Sequence, residues 1–378
     1  MLTTDDKIKE LEYYLKIFEN KIYSGENYMQ LLNEYSKCII ILCTFENKSF
    51  NNYEKYIIDY LKKVKYFLYN YEDFDVFSFK YGYLLCIYTL KHINKHVAYG
   101  NNMSNVLHTL ICDNVTQNLG DYNISRLSDL QLDYCLENGI SSILFYFLSV
   151  NDGCNEDFYV KASISSLKET VLKDVDIYGF RVPGWYSKSV SYEYGYFDNS
   201  MDKGILGLLI TLCLYSNIYT DKDIEDSISS ILSFIFEKCV FKNKNKTFIY
   251  QSQIRLEDYL LNLSYEEYPN IIDNKVDLII SLYMSGKLIN NSKLISESLK
   301  IYEDIIDSIP YDKLKLKYPK LILFERKISL DMNHSDDILK DKYKSIYIKN
   351  NIKDINILFS ICYSFYSDID FIRLIFLY

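Results

Sequence analysis

Lys203 is the ionisable side chain at the centre of the most informative stretch of this sequence, Gly195-Tyr-Phe-Asp-Asn-Ser-Met-Asp-Lys-Gly-Ile-Leu-Gly207. On a concave, partly desolvated wall a lysine loses affinity for its proton and serves as a base or as an anchor for an anion. Solvated, or paired with the nearby Asp198 or Asp202, it does neither, and that plainer state is the expectation. His92 and His96 stand four apart, a spacing at which two imidazoles share a helix face and can hold a metal. The run His92-Ile-Asn-Lys-His96 lacks the glutamate that follows the first histidine in hydrolytic zinc helices, so a metal is not expected there. Glycoside hydrolysis needs two carboxylates across a cavity. Asp133, Glu137, Asp198, Asp202, Glu266 and Glu267 supply candidates without a recognisable spacing. The nine cysteines contain no C-x-x-C pair, and Cys38, Cys43, Cys86, Cys213 and Cys362 sit among Ile, Leu and Tyr as small buried hydrophobes do. Lys313-Leu-Lys-Leu-Lys-Tyr-Pro-Lys320 alternates basic and apolar residues, as an exposed strand or extended loop does. It would suit an acidic peptide, although a solvated face is the plainer reading.

The elements that must carry these groups are helical. Prolines occur only at 183, 269, 310 and 319 among 378 residues, and glycines are few, which is the punctuation of a mostly helical chain. Amphipathic periodicity predicts helices over Asp5–Ile22, Tyr53–Tyr69, Asp221–Phe241 and Ser292–Ile306. Lys37–Phe45, Tyr81–Ile93, Ile140–Val150, Ile205–Ile218, Val276–Ser285 and Ile355–Tyr366 are apolar on most sides, so protein must surround them. An inner layer of these six and an outer layer of the amphipathic helices make an all-α protein, an α/α toroid. No single repeat could bury its inner helix alone, so one domain over residues 1–378 is expected. The net charge of −9 comes from interleaved acids and bases without a basic stripe, which excludes nucleic acid as an expected partner. The N-terminus has no positively charged and apolar leader, and no run is long enough to span a bilayer, so a cytoplasmic protein is expected.

Arg181-Val-Pro-Gly-Trp-Tyr186 followed by Gly195–Gly207 resembles the central repeat of the lanthionine synthetase C-like (LanC-like) cyclases. That repeat has a Pro-x-Trp segment and then roughly G-x-F-N-x-G-x-A-H-G-I-x-G. Gly195, Phe197, Gly204, Ile205 and Gly207 match it in register, and Lys203 stands at the family's histidine. Phe77–Leu85 and Leu136–Leu144 look like worn copies of the turn that opens each inner helix, keeping its first glycine as Gly82 and Gly139. Asp368–Tyr378 is similar to the family's closing segment.

The resemblance implies thioether ring formation in a lanthipeptide (lantibiotic) pathway, with zinc held by Cys, Cys and His lowering a thiol's pKa. Here the three ligand positions fall on Ile272, Ile322 and Leu323, and no cysteine lies between Cys239 and Cys362, while the only later histidine is His334. The family's second-repeat carboxylate falls near Cys135. The expectation is therefore a zinc-free, catalytically degenerate relative, without a cofactor, that binds the precursor peptide or a partner such as a lanthipeptide dehydratase or transporter. Tyr83, Gly139, Trp185, Lys203 and Tyr268 would form its peptide-binding face. The alternatives are an active cyclase with altered chemistry and a carbohydrate-active toroid enzyme.

Overall fold

The computed structural model describes residues 13, 15–16, 28–44, 50–70, 78, 82–94, 101–120, 134–137, 139–150, 157–188, 192–242, 248–262, 272–308 and 317–331. Most of the helix expected at Asp5–Ile22, the apolar segment Ile355–Tyr366 and the closing segment Asp368–Tyr378 lie outside these residues. So do His96, Asp133, Glu266, Glu267, Tyr268, His334, Cys362 and most of Lys313–Lys320. The chain divides into two compact units, one of residues 1–112 with 311–378 and one of residues 113–310.

In the first unit, α1 (Tyr28–Thr44) packs on α2 (Phe50–Asn70) and on α3 (Tyr83–Asn94). Helix α2 shows why an outer helix forms. Ile57, Tyr60, Val64 and Phe67 recur at helical spacing and are fully buried, while Lys62, Lys65 and Tyr69 face solvent. Two tyrosines in this core keep their hydroxyls satisfied, Tyr35 donating to Asp59 at 2.8 Å and Tyr60 lying 3.0 Å from Ser36 Oγ. Helix α3 is buried from Leu84 to Leu90. Helix α4 (Asn101–Gly120) follows and runs across the boundary between the units, burying Leu107, Ile111 and Val115, one residue per turn, over residues 101–116. Helix α12 (Lys320–Asp331) also belongs to this unit, with Leu321–Arg326 buried.

The second unit repeats one motif three times. An apolar helix is followed by an amphipathic one that packs on it: α5 (Ile140–Val150) with α6 (Asp157–Thr170), α7 (Ile205–Ile218) with α8 (Lys222–Phe234), and α10 (Ile272–Leu288) with α11 (Ser292–Ser308). The apolar members also pack on each other, α5 on α7 and α7 on α10. Helix α7 is buried from Ile205 to Cys213, consistent with its lack of a polar face. At α8, Asp221 caps the N-terminus by accepting from the backbone N–H of Asp223 and Ile224, and Lys168 of α6 reaches its carboxylate at 2.8 Å.

The helix expected to run to Phe241 stops earlier. A π-helical turn over Ile235–Cys239 ends it, because Val240–Lys242 forms β5 and pairs antiparallel with β6 (Phe248–Tyr250). Between α6 and α7 lie a hairpin of β1 (Val175–Ile177) and β2 (Phe180–Val182) and the short strands β3 (Tyr186–Ser187) and β4 (Tyr196–Asp198). Strand β7 (Gln253–Arg255) completes a three-stranded sheet in the order β3-β4-β7 and leads into the one-turn helix α9 (Leu256–Leu260).

Candidate functional site

Two turns that precede inner helices meet in the second unit, and the sequence that builds each is now visible. The first, Tyr134–Glu137 with Gly139, opens α5; the second, Asn199–Gly204, opens α7. Leu136 and Glu137 both donate their backbone N–H to the carbonyl of Asp202, at 3.1 and 3.0 Å. Close approach of the backbones demands small residues. A β-carbon on Gly207 would lie 2.2 Å from the Met201 carbonyl oxygen and 2.8 Å from Leu136 Cβ. Gly204 is equally confined, 2.3 Å from the Asp198 oxygen by the same construction.

The sheet holds the second turn from beneath. Gly195 adopts φ +87°, a left-handed conformation open to glycine, and leads into β4, where Phe197 is fully buried between Tyr186 and Ile254. Phe197 packs against Phe234 and Tyr259, with ring centroids 5.3 and 4.8 Å apart. Asn199 donates from its backbone N–H to Ser252 at 2.7 Å and from Nδ2 to the Gln251 carbonyl at 3.0 Å, and its own carbonyl accepts from the Tyr250 hydroxyl. Asn274 in the first turn of α10 donates to Ser252 Oγ at 2.7 Å, so the polar network continues to the next inner helix. No local pattern marks this network, since its partners come from segments far apart in the chain.

Lys203 projects from the second turn with its side chain 67% exposed, and its Nζ lies 4.0 Å from Glu137 Oε2. The expected partners are replaced. Asp198 is buried and spends Oδ1 on the backbone N–H of Ser200, so the carboxylate that faces Lys203 comes from the neighbouring turn. Gly139 is buried, its N–H donating to Cys135 and its carbonyl accepting from both N–H and Oγ of Ser142. Trp185 is 5% exposed, edge-to-face on Phe234 at 5.7 Å, and its carbonyl accepts from the Tyr134 hydroxyl. Its indole therefore packs beneath the turns and offers no open surface. Trp185 Nε1 has no hydrogen-bond partner among the described residues.

Tyr83, in the first unit, is the half-buried first residue of α3; burial, with the Cys86 thiol nearby, holds its phenol above the usual value. Ile272 is the first residue of α10 and half-buried, while Ile322 and Leu323 sit buried in the first turn of α12. None of these three aliphatic side chains carries a lone pair that could bind a zinc ion. Among the described residues no three His, Cys, Asp or Glu side chains converge as a metal would require. Burial pushes the thiols of Cys86 and Cys213 up to about 12, with hydrogen bonds from Tyr60 and Ser285 acting weakly the other way. His92 is buried against Tyr88, with Nδ1 3.1 Å from the Tyr88 carbonyl one turn back.

No protein-family model and no curated protein matches this sequence. Among solved structures the chain is similar to one named nisin cyclase, with a TM-score of 0.72 over 95% of this chain and 94% of that one, at 17% identity. The fold is LanC-like. The short strands and the three apolar-amphipathic helix pairs of residues 113–310 are this chain's version of the α/α toroid fold expected from its layering. Within it, Gly195, Gly204 and Gly207 are held by contact geometry.

Proposed function

We propose that this chain is a LanC-like protein of lanthipeptide biosynthesis that binds the precursor peptide, or a partner such as the dehydratase or transporter, in the cytoplasm and without zinc-dependent ring closure. The observation that carries this reading is the aliphatic character of Ile272, Ile322 and Leu323 at helix starts, in a fold whose glycine frame is otherwise kept. A cyclase needs a thiolate near neutral pH, and a metal with three protein ligands and one open position is how such a site obtains it. Isoleucine and leucine supply none of those ligands, so no cofactor follows from these positions. What the second unit offers instead is the exposed Lys203 ammonium beside Glu137 at the junction of two turns, a pair suited to holding peptide groups by hydrogen bonds.

Two measurements on one preparation test the reading. Elemental analysis of purified protein is expected to give far less than one zinc per chain. Incubation with dehydrated, cysteine-containing precursor is expected to show binding with the free thiols unchanged. Stoichiometric tightly held zinc, or consumption of thiols, would overturn the proposal in favour of a working cyclase.

A further inference from the structure

We propose that the cleft between the β1–β2 hairpin and the edge strand β3 receives a lysine or arginine side chain of an extended peptide, an inference that rests on the peptide-binding reading and names the chemistry selected. The cavity measures about 370 Å³, and its lining includes Asp176, Tyr178, Tyr186, Lys188, Tyr192 and Glu193.

Three features favour a cationic occupant. The face of a phenol ring is the negative end of its quadrupole and attracts a cation, most strongly where water is partly excluded. Tyr192 already accepts one, with the Arg255 guanidinium 5.5 Å from its ring centroid. Among the described residues the charges lining the cleft are two carboxylates, Asp176 and Glu193, against the one ammonium of Lys188. Asp176 uses Oδ1 to accept from the Gly179 N–H at 2.9 Å, which fixes its direction, and Glu193 makes no ion pair among the described residues.

The walls are built to stay open. Tyr178 and Gly179 take φ +53° and +81° in the two-residue turn of the hairpin, a primed turn that matches the twist of its strands. Tyr178 is held 72% exposed, edge-to-face on Tyr194 at 5.7 Å. An extended partner is favoured because β3 is the outer strand of its sheet, where a passing chain can align with it even though the Tyr186 N–H is already spent on the Pro183 carbonyl.

The test uses the full chain and short fluorescent Gly/Ser peptides with one central lysine, arginine, norleucine or glutamate, free of cysteine and dehydroamino acids. Lysine and arginine peptides are expected to bind roughly tenfold tighter than norleucine, with the difference shrinking in high salt. Free N-acetyl-lysine methylamide should compete much more weakly than the peptide if the backbone contributes, and equally well if only the side chain is recognised. Equal competition would overturn the extended-peptide part. Tyr178→Ala and Glu193→Gln, both at exposed positions, should each weaken lysine-peptide binding several-fold without moving the melting temperature. Equal affinity for lysine and norleucine, no binding of either, or two silent variants would overturn the proposal. If dehydrated precursor binds while lysine is not preferred, the cleft assignment falls and the precursor-binding reading stands; lysine preference without precursor binding gives the reverse.

Discussion

An exposed lysine at the tip of a turn is a binding group before it is a structural one. Lys203 keeps 67% of its side chain in water and meets Glu137 at the outer limit of an ion pair, a geometry that contributes little to stability. Lys203→Ala is therefore expected to leave the thermal midpoint unchanged within about 1 °C while weakening precursor binding, read by calorimetric melting and anisotropy on one sample. The place of Lys203 in a turn leading into an inner helix was legible in the sequence because that turn is local and bracketed by glycines. Its partner was not, because Glu137 arrives through a backbone clamp between turns that no short-range pattern records. The cysteines give a second residue-scale prediction. Burial holds Cys86 and Cys213 up at about 12 and raises Cys239 further from neutrality, so each stays a protonated, enclosed thiol. Iodoacetamide at pH 7 should label the half-buried Cys112 well before these three, by peptide mapping, and label all of them alike after denaturation.

Helices and turns carry the next set of tests. Alanine at Gly207 would gain about 0.5–1 kcal/mol of helix preference, yet its β-carbon collides with the Met201 carbonyl and Leu136. Overpacking costs of about 1–3 kcal/mol then dominate, and Gly207→Ala should lower stability in urea unfolding. In α8, Asp221→Ala should cost about 1 kcal/mol through the lost cap. Burial draws the Asp221 carboxyl upward, but the hydrogen bond and charge of Lys168 and the Ile224 and Asp223 N–H groups outweigh it and hold the group below its ordinary value. A depressed carboxyl stabilises the fold above its unfolded pKa near 4, and that share is lost as pH falls through the lower folded value. The wild-type advantage over Asp221→Ala should accordingly be full at pH 6 and shrink on acidification below about 4. Between α10 and α11, Lys275 is 2% exposed and paired with Asp304 at 3.3 Å, and its ammonium is destabilised first by burial. Lys275→Met should be neutral or stabilising, while Asp304→Asn strands a buried charge and should destabilise. Inner helices such as α7 were readable from apolarity on all sides. Helix α4 escaped notice because one buried residue per turn makes a faint stripe, and α8 was read too long because the hydrophobic pattern runs on through the π turn into β5.

At the scale of the molecule, the layering of apolar and amphipathic helices was legible because burial is decided by composition, and a LanC-like fold persists at 17% identity to nisin cyclase on the same logic. What composition could not show is which distant segments cluster, since residues 311–331 carry no local sign that they join residues 1–112. If folding owes nothing to a bound ion, treatment with EDTA or phenanthroline should leave the melting curve where it was; a downward shift would contradict the zinc-free reading. The discontinuous make-up of the first unit also sets a schedule for biogenesis. Residues 113–310 form an unbroken stretch that can mature as soon as it leaves the ribosome, whereas the first unit is complete only once residues 311–378 have been made. About 200 residues separate those pieces, roughly 10–40 s of translation at ordinary elongation speeds, during which the nascent N-terminal helices must keep their oily sides from neighbours on the polysome. Of all parts of the chain, α1 to α3 are thus the ones for which a holdase has most reason to wait.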